Sequence, residues 1–493
     1  MGIGITGIRF DRGDGIVIMR GMSPEAPKVG WAALLKPEWL PLLAVLLGGV
    51  LLHSMNVMML ATVLPSIVEE VGGAALMSWP TTAFLASSIV AATCTGHLTS
   101  QFGARSAFAV GALVFGAGAL ICALAPSMGF VVAGRFVQGF GGGVLSAMAY
   151  VLVGNAFPEP LWPRVGSLLS GVWSLSVLVG PLVGGTFATW GNWRGSFYAV
   201  TLAAAVLAIL ALRSLPRARG ERGAGRDGKG RRIPVGRVAL ICAAIAVMSA
   251  ASIAFTPVAK AGLFAIAVAA LVAMLALDRR SKSPLFPSDA FSLRSVTGVA
   301  LWFCLLVSVA YSPLSIFVPI FLQSLHGFDP LGAGYLVAGA SLGWTMAAVA
   351  VAGLPTRWSD RMMVVGPLAM AAGLLGIALF MTAQPVAVLP PLIVLTGLGI
   401  GVCWVFGVQG IMSGARSGER DLASGSVANV QQTGFALGAA ASGIVANMAG
   451  LSSGLTTGGI ASAAFWVPVS FVSVALVAAV IGWRLVVLSR RRA

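Results

Sequence analysis

Residues 130–153 read FVVAGRFVQGFGGGVLSAMAYVLV, an apolar run broken by one arginine, one glutamine and a row of glycines. The run is as long as a bilayer is thick, since about 20 mostly apolar residues cross roughly 30 Å of hydrocarbon. On a helix Arg135, Gln138, Gly139 and Gly142 fall at i, i+3, i+4 and i+7, so a charge, an amide and a smooth glycine groove share one face. A charge is expensive in hydrocarbon, which turns that face toward protein, and the glycines let a partner helix or a ligand approach closely. Such a helix belongs inside a bundle of others.

The rest of the chain supplies them. Comparable runs lie near 41–64, 78–98, 106–125, 164–188, 195–213 and 238–255. Seven more lie near 261–277, 296–322, 331–353, 363–382, 386–411, 422–449 and 463–487. Fourteen spans follow, and the chain reads as an all-α polytopic membrane protein. With 58% hydrophobic residues, 9% charged residues and a mean hydropathy of +0.95, a soluble fold would need a larger core than a single domain sustains. The pair 238–255 and 261–277 is short, and a twelve-helix alternative would make it re-entrant.

Charge sets the orientation. An even number of spans puts both ends on one side, where 28 of the 31 Lys and Arg residues fall; Arg194 and Lys260 lie opposite and Arg135 lies within a span. The positive-inside rule makes the crowded side cytoplasmic, so a plasma (inner) membrane protein with both termini inside is expected. Insertion and anionic lipid explain the net charge of +16, which gives no case for nucleic acid. Cys94, Cys122, Cys242, Cys304 and Cys403 all fall within spans, without metal-ligand spacing. No cleavable leader is expected in the first 40 residues, and a start at Met1, Met19 or Met22 leaves the spans unchanged.

The organisation follows: a tail (1–40), a six-helix bundle (41–213), a basic Gly/Arg/Pro-rich linker (214–237) and two inserted helices (238–277). A loop (278–295), a second six-helix bundle (296–487) and a basic end (488–493) complete it.

Polar groups carried into the membrane are the functional candidates. Beside Arg135 and Gln138, the first span places His53 and Asn56 on one face with Ser54 adjacent. The fifth holds Gly171, Gly180, Pro181, Gly184 and Gly185, a place to bend or to seal. All fifteen Asp and Glu residues fall in the tail, in loops or at helix ends, Glu69 and Glu70 among them.

These motifs resemble the major facilitator superfamily, specifically its fourteen-span drug:proton antiporter branch. Arg135 to Gly143 (RFVQGFGGG) resembles the family's RxxQGxG motif, Gly180 to Gly185 (GPLVGG) its GPxxGG antiporter motif, and Trp190 to Tyr198 (WGNWRGSFY) the sequence that follows. Similarity extends to VLPSI at 63–67, Trp79 to Leu85, and ERDLAS at 419–424 with Gln431 and Gln432. The resemblance implies two pseudo-symmetric bundles rocking around a central cavity.

Two departures stand out. The family's GxLxDRxGRR loop reads GHLTSQFGAR from Gly96 to Arg105 here, keeping Gly96, Gly103 and Arg105 while Ser100 replaces the aspartate. The first-span aspartate of the branch aligns with Asn56, which cannot titrate. His53, whose imidazole ordinarily titrates near pH 6.5, is then the one titrating candidate inside a span for proton coupling, with Glu69 and Glu70 as peripheral acceptors. A neutral packing histidine is the competing reading. Arg135 stays charged and would position an anionic group or bias a neighbour's pKa rather than carry protons; a structural cation paired with backbone carbonyls is the competing reading.

For the cargo, Tyr311 and Trp344, with Trp302, Trp404 and Phe406, offer an aromatic lining, and Gln409 a sparse polar point. The Asn56, Arg135 and Gln138 group joins them as cavity candidates. No Gly-x-x-x-x-Gly-Lys-Ser/Thr motif is present, so ATP is not the energy source, and no metal cluster or nucleophile with its base suggests an enzyme. No cofactor is expected. The expectation is an exporter of hydrophobic or amphiphilic small molecules driven by protons and embedded in lipid. A uniporter or symporter for a metabolite is the alternative; a membrane sensor fits less well, and an envelope adaptor stays open.

Overall fold

The computed structural model describes residues 34, 36–158, 161–215, 235–254, 256–281, 284–351, 356–383, 385–416 and 419–491. Most of the expected tail and linker, and the last two residues of the basic end, lie outside the described residues. Within them the chain is helical: α1 (Leu40–Val71), α2 (Trp79–Ala123), α3 (Met128–Ala156), α4 (Trp162–Thr189), α5 (Trp193–Ser214), α6 (Val235–Ile253) and α7 (Pro257–Arg279). Then follow α8 (Val296–Ile316), α9 (Val318–His326), α10 (Pro330–Val351), α11 (Thr356–Phe380), α12 (Leu389–Gly414), α13 (Arg420–Met448) and α14 (Thr457–Arg490).

Two of these depart from one helix per crossing. α2 crosses twice, and the expected loop between the second and third spans shrinks to a single break at Gly103, whose φ of 77° and ψ of 156° suit a residue without Cβ. α8 and α9 make one crossing, interrupted at Phe317, four residues after Pro313. Among the described residues fourteen crossings result, of which thirteen are long and apolar enough to cross a membrane on composition alone. The remaining crossing, α13, carries Asn429, Gln431, Gln432 and Asn447, and it packs against α2, α6 and α8 inside the protein.

The start of α1 and the end of α14 lie on one face, called the near face; α1 runs from it to the far face. α1 extends beyond the span read from sequence, continuing through Pro65 so that Glu69 and Glu70 occupy its last turn. The inserted helices are full crossings rather than a re-entrant pair. α6 packs on α7, α2 and α13, while α7 has only 11% of its apolar window buried and faces outward. Arg237 of α6 pairs with Asp278 of α7, whose carboxylate also accepts from the backbone N–H groups of Leu285 and Phe286.

The halves meet at their far ends. In α4, a Cβ on Gly184 would strike Met59 and Thr62 of α1, and one on Gly185 would strike the backbone of Leu331 in α10. Gly334 of α10 sits as tightly against Thr62 and Pro181. Gln323 Nε2 donates to Thr62 O (3.4 Å), and Asn447 Nδ2 donates to Ala75 O (2.8 Å) and Ser252 O (2.9 Å). Toward the near face the same α4 is uncrowded, and a Cβ on Gly166 or Gly171 would meet no atom within 4 Å.

Candidate functional site

Packing of α1, α2 and α3 brings the polar groups of three helices together. α3 can approach because its glycines are smooth: a Cβ on Gly139 would collide with Phe84 O and Ser87 Oγ, and one on Gly143 with the backbone of Ser88. Gly141 meets Phe115 in the second crossing of α2. The groove read from the sequence is therefore filled by helix on both sides rather than by a ligand.

Arg135 is brought to the centre of this junction and is 1% exposed. Its Nη1 donates to Asn56 Oδ1 and to Gln138 Oε1 (2.7 Å), and its Nε to Pro80 O (3.4 Å). The guanidinium lies over the Phe84 ring, 4.1 Å from its centroid, a cation–π contact. Every oxygen facing the charge is neutral. Among the described residues the ion pairs are Lys36–Glu38, Arg194–Glu70, Arg237–Asp278 and Arg490–Asp360, and Arg135 is in none.

His53 is 2% exposed, stacked on Phe84 (5.3 Å between centroids) with Trp173 of α4 edge-on at 6.3 Å. A Cβ on Gly142 would lie 2.7 Å from His53 Nδ1, which has no hydrogen-bond partner. Asn56 Nδ2 and Gln138 Nε2 are also buried without a partner. Trp173 is 44% exposed, so it stands between this centre and the uncrowded near half of α4. Neither Trp173 nor Phe84 was singled out from sequence. Trp173 lies on an α4 stretch rich in Ser and Gly, the one hint that this helix borders space rather than core.

The remaining candidates separate. Tyr311 and Trp344 form an aromatic group in the second bundle: Tyr311 is 5.5 Å from Trp344 and 6.2 Å from Phe435, Trp344 is 5.8 Å from Trp404, and Tyr311 Oη lies 3.3 Å from Ser341 Oγ. Gln409 is exposed on α12, and Trp302 Nε1 donates to Phe291 O, away from that group. Glu70 pairs with Arg194 and accepts from Trp193 Nε1 (2.6 Å), clamping α1 to α5 at the far face. The WGNWRG stretch thereby acquires a physical role. Gly191 takes the turn at φ 70°, Asn192 caps α5 by accepting from Gly195 N–H, and Trp193 and Arg194 seize Glu70. Glu69 is exposed and lines a cleft of about 430 Å³ at the far face with Gly73 and Leu455. Gly96, Gly103 and Arg105 frame the near-face turn of α2, where a Cβ on Gly96 would meet open space.

Known proteins share this architecture. Residues 46–439 match the family described as Major Facilitator Superfamily. A probable multidrug-efflux transporter of Mycobacterium tuberculosis (strain ATCC 25618 / H37Rv) is 35% identical over 442 residues, 87% of this chain and 92% of that protein. A puromycin resistance protein of Streptomyces alboniger is 28% identical over 471 residues, 90% of each. Among solved structures, a bacterial homolog of the human lysosomal transporter Spinster superposes with a TM-score of 0.67 at 13% identity, covering 92% of this chain and 98% of that one. With its fourteen crossings in two bundles, its far-end seam and these matches over most of its length, the chain belongs to the Major Facilitator Superfamily and is a membrane transporter.

Proposed function

We propose that this transporter exports hydrophobic or amphiphilic small molecules by alternating access, in exchange for protons, across a bacterial inner membrane with both chain ends in the cytoplasm. The observation that carries the reading is α4, crowded against α1 and α10 at its far end and open beside Gly166 and Gly171 at its near end. One helix with a sealed half and an open half is what a site accessible from a single side requires. The Trp173 and Tyr311–Trp344 aromatic groups suit apolar cargo, and the M. tuberculosis relative is itself named a probable multidrug-efflux transporter. The basic residues crowding the near face support its cytoplasmic placement.

Proton exchange needs a group whose protonation differs between the two cavity states. His53, buried beside Arg135 without a partner on Nδ1, fills that role in this reading. The absence of a carboxylate partner for Arg135 among the described residues favours a second reading, a facilitator not coupled to protons.

Proteoliposomes holding an internal pH dye and given a pH gradient with a panel of lipophilic drugs separate the two. Drug-dependent proton movement that disappears in His53→Ala supports exchange through His53. Movement untouched by that change moves the role to Glu69 and Glu70, and drug flux without proton movement leaves the facilitator.

A further inference from the structure

A buried charge ordinarily has an opposite charge beside it, because removing an ion from water costs several kcal/mol that neutral partners repay only in part. Arg135 has amide oxygens, a backbone carbonyl and a ring face instead. Both amides that turn an oxygen toward it carry a nitrogen left over, since Asn56 Nδ2 and Gln138 Nε2 are buried donors without an acceptor. Side chains 0% exposed that keep free donors next to an unneutralised guanidinium form a site short of one acceptor group.

We propose that the Arg135–Asn56–Gln138 centre binds the carboxylate of an amphiphilic acid, and that this exporter's preferred cargo includes monocarboxylates with an aromatic or aliphatic body. This rests on the exporter reading above and names the cargo class of the same cavity. The carboxylate displaces the Asn56 amide oxygen from Arg135, takes charge-assisted bonds from the guanidinium and accepts from the two freed amide nitrogens. The body of the molecule lies against Trp173, the exposed aromatic between this centre and the open half of α4.

A carboxylate at position 56 would fill the site from within. That makes Asn56→Asp the decisive variant, because it gives Arg135 a carboxylate from within the chain, and a thermal melt at or above that of the wild type shows that it folds.

The test is calorimetric titration of the purified protein in nanodiscs with 1-naphthoate and with its methyl ester, alongside ester flux in proteoliposomes. The expected result is that the acid binds about tenfold or more tightly than the ester, as loss of hydrogen bonds to a charged group predicts, and that Asn56→Asp abolishes the difference. Equal binding of acid and ester by the wild type, or a preference that survives Asn56→Asp, overturns the proposal. Displacement of 1-naphthoate by chloride but not by acetate also overturns it, placing a small inorganic anion in the site. Ester flux that continues while the acid shows no preference in binding refutes the carboxylate site and leaves the exporter reading standing; no binding of either compound together with no ester flux refutes both.

Discussion

Gly185→Ala isolates the seam between the two halves. Its Cβ would lie 2.6 Å from Leu331 Cα and 2.9 Å from Leu331 N, a backbone on the other bundle that cannot step aside alone. Within its own bundle no atom is nearer, so the added methyl opposes far-end closure without disturbing the fold of the first half. Overpacking of this kind costs about 1–3 kcal/mol. A two-state balance moves about tenfold for every 1.4 kcal/mol, so the far-open population should rise by roughly 5- to 150-fold. Thr62→Cys, placed at the seam in a background without the five native cysteines, reports that population through its rate of labelling by a membrane-impermeant maleimide from the far side. The labelling rate should climb in step in Gly185→Ala and stay level in Gly262→Ala, where a Cβ meets nothing within 4 Å. A labelling rate unchanged by Gly185→Ala would refute the idea that the α4–α10 contact holds the far side shut.

Four further outcomes follow from the same structure. Gly143→Ala forces a methyl into the Ser88 backbone and should lower the stability of the detergent-purified protein by about 1–3 kcal/mol, read as a drop in melting temperature. Gly262→Ala, with open space around it, should instead gain up to about 1 kcal/mol from helix propensity. Asp278→Asn leaves Arg237 unpaired where the two side chains are 3% and 11% exposed, and should cost about 3 kcal/mol in the same melt; a loss too small to measure would show the pair to be incidental. Glu70→Gln touches a pair in which Glu70 is 51% exposed, so stability should fall by no more than about 1 kcal/mol.

Apolar length made the crossings legible, because hydrocarbon thickness imposes it on every span alike. Even α13, the most polar of them, was visible in sequence as the segment 422–449, against Arg420–Met448 in the structure. Helix breaks were harder to place. Pro65 does not end α1, whereas the seven residues allowed for the turn at Gly103 proved helical on both sides. Within a helix, periodicity correctly grouped Arg135 with Gln138 and His53 with Asn56. That the two groups meet, and that Pro80 and Phe84 join them, depends on how deeply α3 settles between the crossings of α2. That depth is a packing result with no signature in either helix alone. Tyr311, Trp344 and Gln409 were all cavity candidates in sequence, yet the first two share a cluster while Gln409 is exposed on α12.

Asn447 ties the inserted helices to both halves of the protein. Its Nδ2 donates both to Ala75 O, in the turn that opens α2, and to Ser252 O in α6, so one amide ties the second bundle to the first and to the inserted pair at the far face. α6 also reaches α2 directly, with Ser249 Oγ donating to Thr82 Oγ1 and Cys242 lying 3.3 Å from Ala86 O. A helix bonded to both sides of the seam cannot be a passive wall, since rocking the halves apart must break its bonds to one of them. Asn447→Leu keeps the volume and removes both hydrogen bonds, each worth about 0.6–2 kcal/mol between membrane helices. Labelling of Thr62→Cys from the far side should therefore rise by roughly threefold or more while the fold, read by melting, loses little. If Asn447→Leu lowered the melting temperature and left labelling unchanged, the bonds would belong to both cavity states alike, and α6 and α7 would move as one body with the second bundle without resisting its opening.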